Sequence, residues 1–112
     1  MAKDCKELLI KHLNALSGIL DKYNINTAKD YTKQYKKGYE EFNASTIFHI
    51  GHIGENIKKL DDSFKDLDKS IRWKQLIRLR DIAFHDYDSI NTDFVADLLF
   101  KDIPKLQALL EK

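Results

Sequence analysis

The chain has 112 residues, of which 43% are hydrophobic and 33% charged, and its formal net charge is +1. That length suits a single domain over residues 1–112. The near-neutral charge excludes a bulk electrostatic footprint for nucleic acid or membrane, so any polyanion contact must come from a local patch. The one cysteine, Cys5, excludes an internal disulfide. No N-terminal apolar run reads as a signal peptide, and no window approaches the ~18 apolar residues of a membrane span. These features predict a cytoplasmic domain without membrane contact. Four glycines and one proline, with no sustained alternating pattern, predict an all-α fold.

The first predicted helix runs from about Cys5 to Tyr23, with Asp4 as N-cap and Glu7 placed as in a capping box. Leu8, Leu9, Leu13, Leu16, Ile19, Leu20 and Tyr23 form its apolar stripe. Asn24-Ile25-Asn26 breaks it, and Asn26 can cap the next helix, roughly Thr27 to Phe42. There Tyr31, Tyr35, Tyr39 and Phe42 share one face, and Lys29, Lys33, Lys36 and Lys37 occupy the rest. The tyrosines can serve as core face and the lysines as solvent face; lysines interleaved with tyrosines can also hold RNA by charge and stacking.

A third helix is predicted from about Ala44 to Leu60, capped by Asn43 or Ser45, with Ile47, Ile50, Gly54 and Ile57 as its inner seam. Gly51 and Gly54 are poor helix residues. They make sense where another helix crosses closely. His49 and His52 lie three apart, but no nearby set of ligands completes a metal site, so they read as surface or interface residues. No metal and no cofactor are expected. Asp61 to Ser70 reads as a polar loop anchored by Phe64 and Leu67.

The fourth helix begins near Ile71, with Ser70 or Asp68 as cap. It carries an anomaly. Trp73, Leu76, Ile77, Ala83, Phe84 and Tyr87 recur with a helical period, and Arg80 falls in the middle of their face. A lone guanidinium there is costly and cannot shed its proton. Arg80 therefore needs an anion: a carboxylate of this chain such as Glu55, one from a partner, or a substrate phosphate. Leu79 and Ile82 lie on the opposite side, where another copy of the chain can supply cover. Asn91 or Thr92 caps a last helix lined by Phe94, Val95, Leu98 and Leu99, which Pro104 should kink or restart. The architecture expected is an antiparallel bundle of four to five helices, the last kinked at Pro104.

Arginine with histidine suits phosphodiester chemistry. An imidazole can take the proton of a ribose 2′-hydroxyl or protonate the leaving oxygen near neutral pH. A guanidinium can hold the phosphate and offset developing charge. In an ideal helix, however, residues five apart point ~140° away from each other and lie ~7.5 Å apart along the axis. Arg80 and His85 then converge only if the helix ends or bends near Phe84, or if two protomers share the site.

Arg80-x4-His85-x-Tyr87 resembles the signature of HEPN-type ribonucleases, specifically the HepT-like toxins of minimal nucleotidyltransferase toxin–antitoxin systems. Ile53-Gly54-Glu55 followed by Lys58 or Lys59, Trp73 upstream of the arginine, and Ile103-Pro104 with Leu106 are similar to further segments of that family. The likeness spans residues 43–112. It implies an HEPN-like helical bundle that forms a homodimer with the motif clefts at its interface. It further implies that Arg80 and His85 are catalytic in metal-independent RNA cleavage, and that a cognate nucleotidyltransferase antitoxin attaches AMP to Tyr87. Where that family most often has asparagine, this chain has Asp81, whose carboxylate can pair with Arg80 or repel RNA. Asp86 can raise the pKa of His85. The competing expectation is a non-catalytic nucleotide- or substrate-binding partner of a small nucleotidyltransferase; a purely structural Arg80, paired with Glu55 or Asp81, is a third.

Overall fold

A computed structural model describes residues 4–86 and 89–112. It is all-α: α1 (Cys5–Lys22), α2 (Ala28–Lys36), α3 (Glu40–Lys58), the single turn α4 (Asp62–Lys65), α5 (Trp73–His85), α6 (Thr92–Asp97) and α7 (Ile103–Leu110), with a π-helical turn, Leu98–Asp102, joining the last two. Because α6, the π turn and α7 run on without a break, five long helical pieces make the bundle, with α4 as a small addition. Among the described residues no helix is long and apolar enough to cross a membrane.

The ends of α1 follow local chemistry. Asp4 accepts a hydrogen bond from the Lys6 N–H, and Asn24 beyond the last turn takes a positive φ of 57°. The next cap falls on Thr27 rather than Asn26. Its hydroxyl accepts from Asp30 N–H, and the Asp30 carboxylate accepts in return from Thr27 N–H, a reciprocal capping box. The second helix also stops well short of Phe42. Lys36 is its last residue and Gly38 adopts φ 76°, a conformation that costs glycine least. The chain re-enters a helix at Glu40, so Phe42 belongs to α3. Neither Asn43 nor Ser45 caps that helix. Asn43 instead donates its amide to the Tyr35 carbonyl and ties α2 to α3.

α3 is the central rod. Phe42, Ile47, Ile50, Ile53 and Ile57 are buried, each contributing about 1.5–3 kcal/mol of apolar burial. Tyr31 of α2 is fully enclosed against it, its hydroxyl bonded to Thr46 Oγ1 at 3.0 Å. The α3 rod packs most extensively against α5 and then against α1. In the loop that follows, Phe64 packs against Trp73 as expected, but Leu67 is 65% exposed and anchors nothing.

α5 starts at Trp73, with Arg72 at its N-cap position; Asp68 and Ser70 form a separate turn, bonded to each other. Its capping comes from far along the chain. Asp102, only 2% exposed, accepts from the Arg72 backbone N–H at 2.7 Å and from Arg72 Nη2 at 2.6 Å. Burial pushes the Asp102 carboxyl up, but the bonds from Arg72 more than offset that and hold it below the usual range; the guanidinium is pushed up by Asp102 and then Asp97. Asp102 belongs to the π turn, in which Ile103 N–H reaches back five residues to the Leu98 carbonyl. That wide turn sits just ahead of Pro104, whose ring would crowd the carbonyl four residues back in a regular α-helix.

Candidate functional site

The α3–α5 crossing sets the geometry around the Arg80–Tyr87 motif. A Cβ built on Gly54 would stand 2.7 Å from the Arg80 backbone nitrogen and 3.0 Å from the Leu76 carbonyl oxygen. One on Gly51 would meet the Phe84 ring at 2.6 Å. Both glycines are thus explained by contact between helices, as their placement within a helix suggests. The close approach delivers Glu55, the next residue of α3, to Arg80. Arg80 Nε is ion-paired with Glu55 Oε2, and Arg80 Nη1 lies 3.3 Å from Asp81 Oδ1. The Glu55 contact is ionic rather than a well-aligned hydrogen bond, because Oε2 is buried and takes no hydrogen bond. Lys59 Nζ approaches the other carboxylate oxygen at 3.9 Å.

The anion that Arg80 requires is therefore present within the chain. Its setting differs from the expectation. The fully covered face of α5 is Leu76, Leu79 and Ala83, whereas Arg80 is 38% exposed in side chain and lies on the flank with Ile77 and Phe84. Leu79 needs no second copy to cover it, being fully buried by its own chain. Solvent on one side screens the Arg80 pairs, so each contributes at most about 1 kcal/mol. Of the five guanidinium N–H groups, one on Nη1 donates a hydrogen bond, to Asp81, and the Glu55 carboxylate faces the Nε edge.

His85 is the last residue of α5 and is exposed; Asp86 follows as C-cap. The helix thus runs through Phe84 and ends only after His85, so its end does not turn His85 back toward Arg80. Both residues remain within it, and among the described residues no hydrogen bond or ion pair joins them. Tyr87 lies outside the described residues. Asp81 and Asp86 are exposed, the first on Arg80, the second beside His85 in sequence.

A feature that sequence reasoning missed adjoins this flank. His12 of α1 meets His49 and His52 of α3. Its Nδ1 is 3.0 Å from His49 Nδ1, and its ring stacks on His52 at 4.7 Å and 9°. Phe48 and Phe84 close the group, 52% and 44% exposed, each within ring contact of His52. The available signal was that His12 borders the Leu8–Leu16 stripe, but which face of α3 it meets is decided by packing. Among the described residues no three His, Cys, Asp or Glu side chains are arranged to hold a metal.

The Nδ1–Nδ1 contact needs one nitrogen to donate and the other to accept, so it cannot survive protonation of both rings. Burial, then His52, holds His12 and His49 below the usual histidine range, with Lys11 adding to both. The folded chain then binds fewer protons than the unfolded chain as pH falls below about 6.5. Stability is expected to be flat above that pH and to decline below it, until the lowered folded values are passed. Urea midpoints measured from pH 8 to pH 5 check this. His12→Phe should flatten the decline; an unchanged profile would assign it to other groups.

The HepT-like family, described as ribonuclease HepT-like, matches residues 18–112. A gamma-glutamylcyclotransferase and candidate RNase of Methanocaldococcus jannaschii is 28% identical over 109 residues, 96% of this chain and 46% of that protein. A protein of Thermococcus cleftensis named a probable ribonuclease HepT is 33% identical over 60 residues, 54% of each chain. A candidate RNase of Caldanaerobacter subterraneus subsp. tengcongensis is 31% identical over 55 residues, 49% of each. The chain spans about half the length of these curated relatives. No solved structure matches it. With the family covering all but the first 17 residues, and with Arg80, His85 and the Gly54–Glu55 crossing inside the matched span, the chain belongs to the ribonuclease HepT-like family.

Proposed function

We propose that this chain is a metal-independent endoribonuclease and the toxin of a toxin–antitoxin pair acting in the cytoplasm. The observation that carries the reading is the placement of the motif: the Arg80 side chain is 38% exposed, and His85 is exposed at the helix end. Arg80 holds the scissile phosphate. The imidazole of His85 takes the proton of the ribose 2′-hydroxyl, whose oxygen attacks phosphorus. The bond to the 5′-oxygen breaks, and a proton delivered to that oxygen completes the step, leaving a 2′,3′-cyclic phosphate and a 5′-hydroxyl. No step in this scheme calls on a metal ion.

The two side chains diverge along one α5, so the site is completed in a homodimer. Exposed Phe48 and Phe84, the latter preceding His85 in sequence, flank His52 and supply an apolar patch that supports such pairing. Tyr87 accepts AMP from the cognate nucleotidyltransferase antitoxin; an anionic nucleotide next to His85 would compete with RNA phosphate for Arg80. Glu55 and Asp81 already engage Arg80, which favours a second reading, a nucleotide-binding partner of such a transferase without cleavage.

Incubation of purified, mass-verified unmodified protein with RNA in chelator should yield 2′,3′-cyclic phosphate ends. No cleavage would sink the nuclease reading and leave the second. After incubation with the transferase and ATP, peptide mass spectrometry should place AMP on Tyr87; AMP elsewhere would overturn that role.

A further inference from the structure

We propose that the exposed lysine face of α2, finished by Tyr39, is a second contact surface for single-stranded RNA, gripping its backbone away from the Arg80–His85 motif. The proposal rests on the ribonuclease reading and names where the substrate strand continues.

Charge is segregated along this chain. Residues 22–37 hold five lysines and one aspartate, a net +4 in a chain of net +1, so all the rest together carries −3. The structure turns that segment outward. On α2, Tyr31, Thr32 and Gln34 are buried, while Lys29, Lys33 and Lys36 are exposed at i, i+4 and i+7. That spacing makes one stripe ~10.5 Å long. None of these three ammonium groups lies within ion-pair distance of a carboxylate among the described residues. Asp30, the one acid of the segment, feels Lys33, but its Oδ2 accepts the backbone N–H groups of Asn26 and Thr27. The three lysines line a groove of about 420 Å³ between α2 and α6, together with Thr32 and Asp93. Asp93 Oδ1 in that groove accepts the Thr32 hydroxyl at 3.2 Å.

An exposed aromatic ring follows α2 in the chain. Of the tyrosines spaced along this region, Tyr31 is enclosed, whereas Tyr39 is 61% exposed, just past the Gly38 break and next to Lys36 and Lys37 in sequence. A row of point charges suits a phosphodiester backbone, and an exposed ring suits a nucleobase, whichever base it is. An acidic protein face would use the charges and leave the ring idle.

The experiment measures binding of a fluorescent 12-nucleotide RNA to the His85→Ala protein across salt concentrations. Lys29→Gln, Lys33→Gln and Lys36→Gln combined should reduce the slope of log affinity against log salt by about 2, with similar loss on unrelated sequences. Tyr39→Ala should weaken binding about tenfold. These positions are exposed, so circular dichroism and melting should be unchanged. An unchanged slope and affinity, while Arg80→Ala does weaken binding, would overturn this surface and leave the nuclease reading standing. Loss of binding in the triple variant, in a protein that never cleaves RNA, would keep the surface and sink catalysis alone. No RNA binding by the parent protein would sink both.

Discussion

RNA cleavage is expected to fall about 10²–10⁴-fold when His85 is replaced by alanine, with helical content unchanged. His85 is exposed at the last position of α5, so truncation removes chemistry without opening a cavity. Arg80→Ala should be comparably damaging, about 10²–10³-fold, but it also strips the partly buried Glu55 of its partner and should lower stability. Arg80→Lys separates the two effects. It keeps a positive charge for Glu55 and loses the planar fork that can hold a phosphate while Nε stays paired. Cleavage assays beside thermal melts read both quantities. A His85→Ala protein as active as the parent would remove this residue from the reaction.

The largest loss of stability is expected from Gly54→Val, about 3 kcal/mol, read as a melting temperature lower by about 10–20 °C. The physical reason is that Gly54 faces backbone. A Cβ there would press on the Arg80 nitrogen and the Leu76 and Ile77 carbonyls, none of which can rotate away. The two helices would have to part, and the Glu55–Arg80 pair would part with them. Gly51→Ala should cost less, about 2 kcal/mol, because its nearest obstacle is the half-exposed Phe84 ring, which can swing outward, leaving only the fixed Ala83 Cβ at 2.9 Å to yield. Equal melting temperatures for the two variants would contradict this account of the crossing.

Those two glycines show how far the sequence could be read. Side chains missing from the middle of a helix have few explanations, so the crossing was foreseeable. The need of Arg80 for an anion followed from the fixed charge of arginine. A helix end near His85 followed from the polar residues beyond it. Other features depend on competition that a single segment does not display. Tyr31, Tyr35, Tyr39 and Phe42 keep helical spacing straight through the break at Gly38, so periodicity alone merged α2 with α3. On α5 two overlapping apolar stripes exist. Contact with α3 settles which is covered, and it chose Leu76–Leu79–Ala83 over the stripe centred on Arg80. The His12 contacts and the Arg72–Asp102 link join residues 37 and 30 apart in sequence, out of reach of any local pattern.

The Arg72–Asp102 link also bears on timing during synthesis. The helix carrying Arg80 and His85 has no side-chain cap from its own neighbourhood; the carboxylate that anchors its start comes from Asp102. On the ribosome, the motif emerges before that residue does. Until Asp102 has cleared the exit tunnel, α5 lacks that anchor. A chain that has not yet reached Asp102 is therefore expected to hold the start of α5 less firmly than the folded domain does.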